Sequence, residues 1–280
     1  MSPAPQTTRL HAPRRHVPLR AWIDGIGLIA PGMPDWPHAR LVLRAEQALD
    51  SAPSVLPAPA VLPPAERRRA SRVVRLGLAL GLEAAAHAAS DPATLTTVFA
   101  ASGADGHNCH ALCEQLAGDD RQISPTRFHN SVHNAVAGYW GIAARSMRPC
   151  QVICAFDASF GAGLLDALGQ VAADGAAVLL VAYDSEYPQP LHAKRDTPDC
   201  GGVALLLSPK PGPHSLAEIQ VAPTRGAADR LTDAGLEALR IAIPALRALP
   251  LLQHLAQGRA GTVCLDYLPP LQLQVGVRPC

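Results

Sequence analysis

The segment from residue 154 to residue 163 contains small and polar side chains that could act in catalysis. The segment reads CAFDASFGAG, with Asp157 and Ser159 among alanines and glycines. A serine near Gly161 and Gly163 is compatible with a hydrolase nucleophile, but the G-x-S-x-G signature is absent and no base is placed beside it. An aspartate just before a predicted helix is of the residue type most favoured as an N-cap. Capping is therefore the simplest interpretation of Asp157.

A second cluster of reactive side chains lies in HNCHALC, which holds His107, Cys109, His110 and Cys113. Residues at i, i+3 and i+4 share a helix face, so the four could approach one another. Structural zinc sites usually draw pairs of ligands from separate segments, whereas these residues crowd one or two turns. We therefore predict no metal site and no cofactor.

The first segment is positioned by a predicted strand, helix and strand. Residues 151–156 form a compact apolar strand. Cys150, just before it, and Cys154, within it, are interpreted as small buried residues. Residues 158–173 form a helix rich in Ala, Leu and Gly, and residues 177–183 (AVLLVAY) are strongly β-prone. This order implies a parallel crossover unit.

The periodicity of the remaining chain predicts further strands and helices. The predicted strands cover residues 21–30, 97–101, 202–207, 216–222 and 262–267, and the predicted helices cover residues 65–89, 103–117, 130–146 and 227–249. Pro244 is expected to break the last helix. The strands 202–207 and 216–222 flank a turn rich in proline and glycine, which favours an antiparallel hairpin.

The composition favours an α/β protein, and its charge balance leaves only local charge recognition as a means of binding a partner. Of the 280 residues 48% are hydrophobic but only 4% are aromatic, which is typical of small-residue helices packed on a sheet. Lys and Arg total 24 against 23 for Asp and Glu, so the net charge gives no reason to expect nucleic acid.

The cysteines and the hydropathy indicate the compartment. Seven cysteines form an odd set without repeating spacing, so a reducing cytoplasmic location is expected. No run is long enough for a membrane span, and residues 1–18 are expected to be a flexible tail.

The residues from Ile123 to Gly163 resemble the part of β-ketoacyl synthases that ends at the nucleophile elbow. Asn134, Ala137 and Gly138 match the family's N-x-x-A-G helix start, residues 147–149 match the following turn, and residues 150–156 match the strand. An ungapped count from the helix start puts Asp157 at the position of the family's reactive cysteine.

Three more segments resemble the same family in the same order. WIDGIGLIAPG resembles its first strand and turn, RRRASRVVRLGLALGLEAA its second helix, and CGGVALLLSP its glycine-rich strand after the elbow. The resemblance implies a thiolase-like condensing-enzyme fold. Residues 19–225 would be its N-terminal half, and residues 226–280 a short C-terminal extension packed on the same domain in place of a truncated second half.

The departures from the family pattern bear on catalysis. A condensing enzyme needs a thiolate at the start of a buried helix, and an aspartate there cannot carry an acyl thioester. The family also uses two histidines from its second half, and this chain has no histidine after His254. The resemblance therefore implies that the chain is not an enzyme by itself, with no catalytic residues expected at Asp157 or at the nearby Ser159.

A condensing fold without nucleophile or histidines resembles chain-length-factor subunits, which pair with an active β-ketoacyl synthase and shape its acyl tunnel. The short form resembles synthase-like proteins of aryl-polyene and xanthomonadin-type clusters, so type II polyketide or fatty-acid-like biosynthesis is implied. The resemblance places one segment at the interface or tunnel, with the bulk of Phe128 and His129 limiting chain length. The residues of this segment are Thr126, Arg127, Phe128, His129, Val132, His133 and Asn134.

A basic helix start is the expected contact for an acidic acyl carrier protein, although arginine clusters are more often solvated helix faces. Its residues are Arg67, Arg68, Arg72 and Arg75. The alternative interpretation of the whole chain is an independent enzyme on a truncated thiolase-like fold, a decarboxylase or hydrolase that uses Asp157 or Ser159.

Overall fold

The computed structural model describes residues 18–119 and 121–280, and within them all named strands join one mixed sheet. The eight strands are β1 (Leu19–Ile29), β2 (Thr96–Ala100), β3 (Cys150–Ile153), β4 (Val178–Asp184), β5 (Gly201–Ser208), β6 (Ala217–Thr224), β7 (Gly261–Leu265) and β8 (Gln272–Pro279). Their spatial order is β3-β2-β4-β5-β1-β6-β8-β7. Strands β3, β2 and β4 run parallel to one another, and the other pairings are antiparallel.

Helices cover both faces of this sheet. They are α1 (Trp36–Leu43), α2 (Pro64–Arg69), α3 (Arg72–His87), α4 (Gly106–Ala117), α5 (Pro125–Asn130), α6 (Ala135–Ala144), α7 (Ser159–Asp174), α8 (Ala234–Ala242) and α9 (Leu249–Ala256). Successive residues of β4 join different cores: Leu180 packs with α7, whereas Leu179 packs with α3 and α6. Because neighbouring side chains of a strand point to opposite faces, α3 and α7 lie on opposite sides of the sheet. The α/β prediction is confirmed.

Helix α3 packs directly on the backbone of β1 because two glycines leave room for it. A Cβ atom at Gly25 would lie 2.1 Å from the Ala84 carbonyl oxygen, and one at Gly27 would lie 2.3 Å from that of Leu80. Glu83 and His87 of α3 also bond to the β1 amides of Leu28 (2.9 Å) and Ile26 (3.1 Å). The small residues of the sequence thus set the distance between layers.

The crossover unit of β3, α7 and β4 is confirmed, but the predicted hairpin is wrong. β5 and β6 do not pair with each other; β1 lies between them and pairs with both. The turn at residues 209–213 therefore connects strands on either side of β1. Periodicity identifies strands but does not show which strand inserts between two neighbours in sequence.

Several predicted boundaries also differ from the structure. The helix predicted at 65–89 is two helices, separated where Ala70 adopts an extended conformation (ψ 113°). The helix predicted at 130–146 begins only at Ala135 and is preceded by α5. The break at Pro244 is confirmed, because α8 ends at Ala242 and a 3-10 turn occupies Pro244–Ala248.

The strand predicted at 262–267 exists as β7, but it is not the last. β8 follows it and pairs with β6 along eight residues. The alternating sequence QLQVGVR was a readable strand signal. The predicted tail falls almost entirely on residues 1–17, which lie outside the described residues.

Candidate functional site

The parallel strands β2, β3 and β4 all terminate at the same end of the sheet, which is where open α/β sheets usually bind their ligands. The backbone amide and hydroxyl of Ser102, just after β2, donate to Asp184 at the end of β4 over 2.8 and 2.5 Å. The Cys154 thiol, just after β3, donates to the Ser102 carbonyl at 3.4 Å. Residues from three strands thus form one cluster.

The turn between β3 and α7, residues 154–159 and here called the elbow, contains a residue in a left-handed conformation. Phe156 has φ 51°, although a bulky residue disfavours this region. The Ser159 hydroxyl donates to the Phe156 carbonyl at 2.7 Å and accepts from the Ala155 amide at 3.0 Å. The serine is buried and uses its hydroxyl to hold the turn, not to face a substrate.

Asp157 does not cap α7, contrary to the simplest sequence interpretation. The N-cap position is Ala158, without a side-chain hydrogen bond. Both Asp157 oxygens instead accept from arginines: Oδ1 from Arg195 Nη2 at 2.8 Å, and Oδ2 from Arg247 Nη2 at 3.1 Å. Asp157 is 37% exposed while the arginines are 19% and 18% exposed, so these ion pairs are largely shielded from water.

The two arginines are brought to the elbow by segments from the C-terminal part of the chain. Arg195 follows the 3-10 turn Leu191–Lys194, and its Cζ lies 4.1 Å from the centroid of the Phe156 ring. Arg247 lies in the turn Pro244–Ala248, whose Ala245 amide donates to Asp184 at 2.8 Å. Burial raises the pKa of Asp184 to about 6, against the opposing effect of its hydrogen bonds.

Two cysteines, Cys150 in β3 and Cys154 just after it, are not the buried residues that were predicted. Cys150 and Cys154 are both exposed, because among the described residues β3 is an edge strand that pairs with β2 alone. The hydrophobicity of the segment suggested a central strand, but its outer side has no neighbouring strand in the described chain. Cys154 therefore presents an accessible thiol at the start of the elbow.

The sequence-predicted interface segment lies beside the elbow. His133 Nε2 is 3.4 Å from the Ala101 carbonyl oxygen, at the same end of β2 that contacts the elbow. Phe128 and Val132 are 62% and 47% exposed, whereas His129 packs its ring edge-on against Tyr139. Thr126 and Arg127 lie on α5, and Asn134 precedes α6.

Three of the arginines predicted to contact a carrier protein are engaged within the chain. Arg67 donates to the carbonyls of Ala60 and Leu62 at 2.8 and 3.0 Å, and Arg75 donates to Leu56 at 2.7 Å. Arg72 forms ion pairs with Glu186 and Asp199. Arg67 thus holds the preceding loop against α2, whereas Arg72 and Arg75 hold loops against α3. Arg68 is exposed on α2.

The histidines and cysteines of α4 do not converge on one point. His107 lies 3.7 Å from Glu186, His110 lies 3.2 Å from Glu114, and the Cys109 thiol donates to the Ser131 carbonyl. Among residues 18–119 and 121–280, no three His, Cys, Asp or Glu side chains are placed to hold a metal ion. In the same residues, no helix has both the length and the apolar composition needed to cross a membrane.

Sequence reasoning missed the arginine partners of Asp157. They lie 38 and 90 residues away and carry no local signature. Ser102 and Asp184 could have been found, because polar residues directly after neighbouring parallel strands meet at one edge.

Comparison with solved structures shows the same fold in ketosynthase complexes. One is the ketosynthase ApeO in complex with its chain length factor ApeC from Xenorhabdus doucetiae, with 23% identity over 92% of this chain and 99% of that chain and a TM-score of 0.68. Another is the ishigamide ketosynthase/chain length factor, with 14% identity, the same two coverages and a TM-score of 0.68. A third is the AntDE:AntF complex of a type II carrier protein with its ketosynthase, with 12% identity, coverages of 94% and 100% and a TM-score of 0.66.

These likenesses confirm the thiolase-like condensing-enzyme fold. No curated protein sequence is detectably similar to this one. The family model for the β-ketoacyl synthase N-terminal domain, however, matches residues 42–260, which is more than half of the chain and includes the elbow. The chain therefore belongs to the β-ketoacyl synthase N-terminal domain family.

Proposed function

We propose that this protein is a noncatalytic, chain-length-factor-like subunit that pairs with an active β-ketoacyl synthase and shapes its acyl tunnel. The observation that carries the proposal is the elbow, where Asp157 is held between two arginines. A carboxylate fixed by two guanidinium groups cannot form the acyl thioester on which condensation depends. Ser159 offers no substitute, because its hydroxyl is bonded within the turn.

The requirement for a partner is supported by the difference between the two edges of the sheet. At the β7 edge, the Asp229 amide donates to the Cys264 carbonyl, and the Cys264 amide donates to the Asp229 carboxylate, both at 2.8 Å. At the β3 edge, Cys150 and Gln151 are exposed, and no other strand of the described chain covers them. A bare edge strand is a template for pairing with another chain.

Exposed apolar side chains surround this bare edge. Met147, just before β3, is 97% exposed, Ile142 on α6 is 44% exposed, and Phe156 just after β3 is 62% exposed. Phe128 and Val132 of the predicted interface segment are exposed near the same end of the sheet. Clustered apolar residues at a surface usually mark a protein interface.

The solved ketosynthase complexes support this choice of partner, a full-length β-ketoacyl synthase in a heterodimer. An acyl carrier protein would deliver the substrate, and Arg68, exposed on α2, is the arginine of the basic helix start that would contact it. Type II polyketide, aryl-polyene or fatty-acid-like biosynthesis in the cytoplasm is the corresponding setting. Residues 19–225 would supply the condensing half-fold, and residues 226–280 its extension.

Co-expression with a cognate full-length β-ketoacyl synthase tests the proposal. We expect the two chains to copurify as a heterodimer that extends acyl carrier-protein substrates with malonyl units. This chain alone should show no turnover, and replacing the partner's reactive cysteine by alanine should abolish turnover in the heterodimer. Turnover by this chain alone, lost in Asp157→Asn, would instead support the independent-enzyme alternative.

A further inference from the structure

A cavity of about 560 Å³ lies between α3 and the loop that precedes α2, residues 53–62, here called the strap. Its floor is one face of α3, on which the lining residues follow the helical spacing i, i+3, i+4, i+7 and i+8. Small-molecule sites in proteins have volumes of about 300–1,000 Å³ and mostly apolar walls. The cavity therefore has the size of a ligand site. The floor residues are Arg75, Leu78, Ala79, Leu82 and Glu83.

The cavity is apolar in its middle and polar at its two ends. Arg75 and Glu83 are eight residues apart in the helix, which separates them by about 12 Å along the helix axis. The floor between them consists of Leu78, Ala79 and Leu82. A matching ligand is therefore elongated and apolar along most of its length.

The strap is held in place on both sides of the cavity. The Ser54 amide donates to the Asp199 carboxylate at 2.6 Å, and Arg67 donates to the Ala60 carbonyl at 2.8 Å. Between these two anchors, residues 57–59 read Pro-Ala-Pro, and each proline fixes its own φ angle. The walls are therefore formed in advance, which lowers the entropic cost of binding a ligand.

Apolar side chains of the strap remain exposed at this cavity. Val55 and Val61 both line it and are 68% and 49% exposed. Removing such surface from water is favourable, and these side chains are aliphatic, like those of the floor between Arg75 and Glu83. An aliphatic chain is thus the expected body of the ligand.

Arg75 is the polar group available to the end of such a chain. Within the described residues it makes one hydrogen bond, from Nη2 to the Leu56 carbonyl at 2.7 Å, so its Nη1 group has no partner there. Glu83 is already engaged, because its two oxygens accept from the amides of Leu28 and Trp36 at 2.9 and 2.6 Å. A guanidinium group binds a carboxylate through charge-assisted hydrogen bonds. The chemistry of the cavity therefore selects a carboxylate at the Arg75 end.

We propose that this cavity binds an unbranched aliphatic carboxylate, with the carboxylate on Arg75 and the hydrocarbon chain along α3 over Ala79 and Leu82. Asp35 and Glu83 line the other end, where acidic groups disfavour an anion and so set the direction of the chain. The bound molecule joins three parts of the fold: the strap, α3 and the turn before α1.

This site is separate from the elbow and from α6. The elbow precedes α7, which lies on the opposite face of the sheet from α3. On α3 itself, α6 packs along a different stripe, where a Cβ atom at Gly77 would lie 2.4 Å from Val136 and one at Gly81 would lie 2.6 Å from Trp140. The inference therefore does not depend on the proposed partnership with a ketosynthase.

Isothermal titration calorimetry of the purified chain with decanoate tests the inference. We expect saturable binding at one site, weakened about tenfold in Arg75→Gln, which keeps a polar side chain but offers no charge-assisted bond. Arg225→Gln is the matched control, because Arg225 is exposed and does not line the cavity, and its Kd should stay within about twofold of the wild type. A wild-type chain that shows neither a binding heat nor a raised Tm with decanoate would overturn the inference.

Arg75 also holds the strap, so a second variant separates ligand contact from loop structure. Ala79→Trp fills the middle of the cavity while Arg75 keeps its bond to Leu56, and it should weaken decanoate binding by at least about tenfold with an unchanged circular dichroism spectrum. Unchanged affinity in this variant would contradict the proposed position of the chain. If it does not fold, the comparison of Arg75→Gln with Arg225→Gln decides.

Decylamine distinguishes recognition of the carboxylate from adsorption of the chain. It has the same hydrocarbon length and the opposite charge, so it should bind more weakly than decanoate beside Arg75. Equal or tighter binding of decylamine would reject the assignment of a carboxylate to this end. All of these measurements use this chain alone, so their failure is distinct from a failure of the two subunits to copurify.

Discussion

At the scale of single residues, the ion pairs of Asp157 illustrate how one side chain depends on distant parts of the sequence. Its position at the turn between β3 and α7 could be predicted, because the strand and helix have strong periodicity. Its partners Arg195 and Arg247 could not, because they lie in 3-10 turns and loops whose placement depends on tertiary packing. The N-cap interpretation was wrong because both oxygens of the Asp157 carboxylate are bonded to these two arginines.

Removing the Asp157 carboxylate should destabilise the fold. Asp157→Ala leaves two mostly buried guanidinium groups without their shared partner, and we expect the free energy of unfolding to fall by about 2 kcal/mol, less than for a fully buried pair. Urea unfolding monitored by circular dichroism measures the change. Asp166→Ala, which removes only a bond to Gln170 on α7, is the control and should cost less than about 0.5 kcal/mol. Equal unfolding midpoints for the two variants would show that the ion pairs contribute nothing.

Two carboxyl groups, the buried Asp184 and the half-buried Glu83, make stability depend on pH. Burial raises the pKa of Glu83 from 4.5 to about 7, although the amides of Leu28 and Trp36 bond to it, and it raises that of Asp184 from 3.8 to about 6. Because the folded state binds these protons more tightly than the unfolded state, stability is highest below the unfolded pKa values and falls as pH rises through the folded ones.

The variant Glu83→Gln isolates one of these groups. We expect the wild-type free energy of unfolding to fall between pH 4.5 and 7 and the variant to show a smaller fall, most clearly as pH approaches 7, where Asp184 is mostly ionised. Urea unfolding midpoints across this pH series provide the measurement. The exposed Glu114→Gln serves as the control, and a variant at Glu83 with the wild-type slope would exclude this carboxyl as the cause.

At the scale of elements, the sequence predicted which segments are strands but not which strands lie at an edge. Residues 151–156 have the composition of a buried strand, yet in the described part of the chain β3 has a neighbouring strand on one side only. The predicted hairpin was wrong because β1 lies between β5 and β6. This strand order depends on contacts throughout the sheet and not on the two strands alone. The need for glycine at positions 25 and 27 is explained only by the packing of α3 across them.

The free edge of β3 provides a prediction at this scale. Thr97 and Ala101 of the β2 side donate to the carbonyls of Pro149 and Ile153, so the alternate residues Cys150 and Val152 direct their backbone groups outward. Val152→Pro removes an outward amide without removing a bond to β2. We expect it to abolish copurification with the ketosynthase while this chain stays folded by circular dichroism.

Val152→Ala is the matched control for that experiment, since it loses a similar amount of side-chain packing and keeps the amide. It should copurify with the partner as the wild type does. A heterodimer that tolerates the proline would mean that the outward amide of residue 152 takes no part in the interface.

At the scale of the whole molecule, the C-terminal residues are built into the sheet. β8 pairs with all eight residues of β6, and Ala245 bonds to Asp184 at the centre of the site. Leu246, Leu252 and Val275 are buried in the same core as α7. The sequence resemblance extended to about residue 210. The positions of β7 and β8 could not be predicted, because β8 pairs with β6 and β7 pairs with β8, and neither pairing has a local sequence signal.

A chain that ends at residue 225 should therefore fail to fold by itself. It would expose Ile219 and Val221 of β6, both almost fully buried in the intact chain, and it would lose Arg247 from the elbow. We expect no cooperative urea transition from residues 1–225 alone, and recovery of one when residues 226–280 are co-expressed as a separate fragment. A cooperative transition of residues 1–225 like that of the full chain would show that they fold independently.

The unequal edges of the sheet also limit how far assembly proceeds. At the β7 edge, the amide and carbonyl of Cys264 are already bonded to Asp229, so pairing with a neighbour is blocked at this position. We therefore expect sheet extension by this chain to occur at the β3 edge and to give a closed pair in place of an open-ended fibre. The same difference between the edges disfavours aggregation through strand pairing.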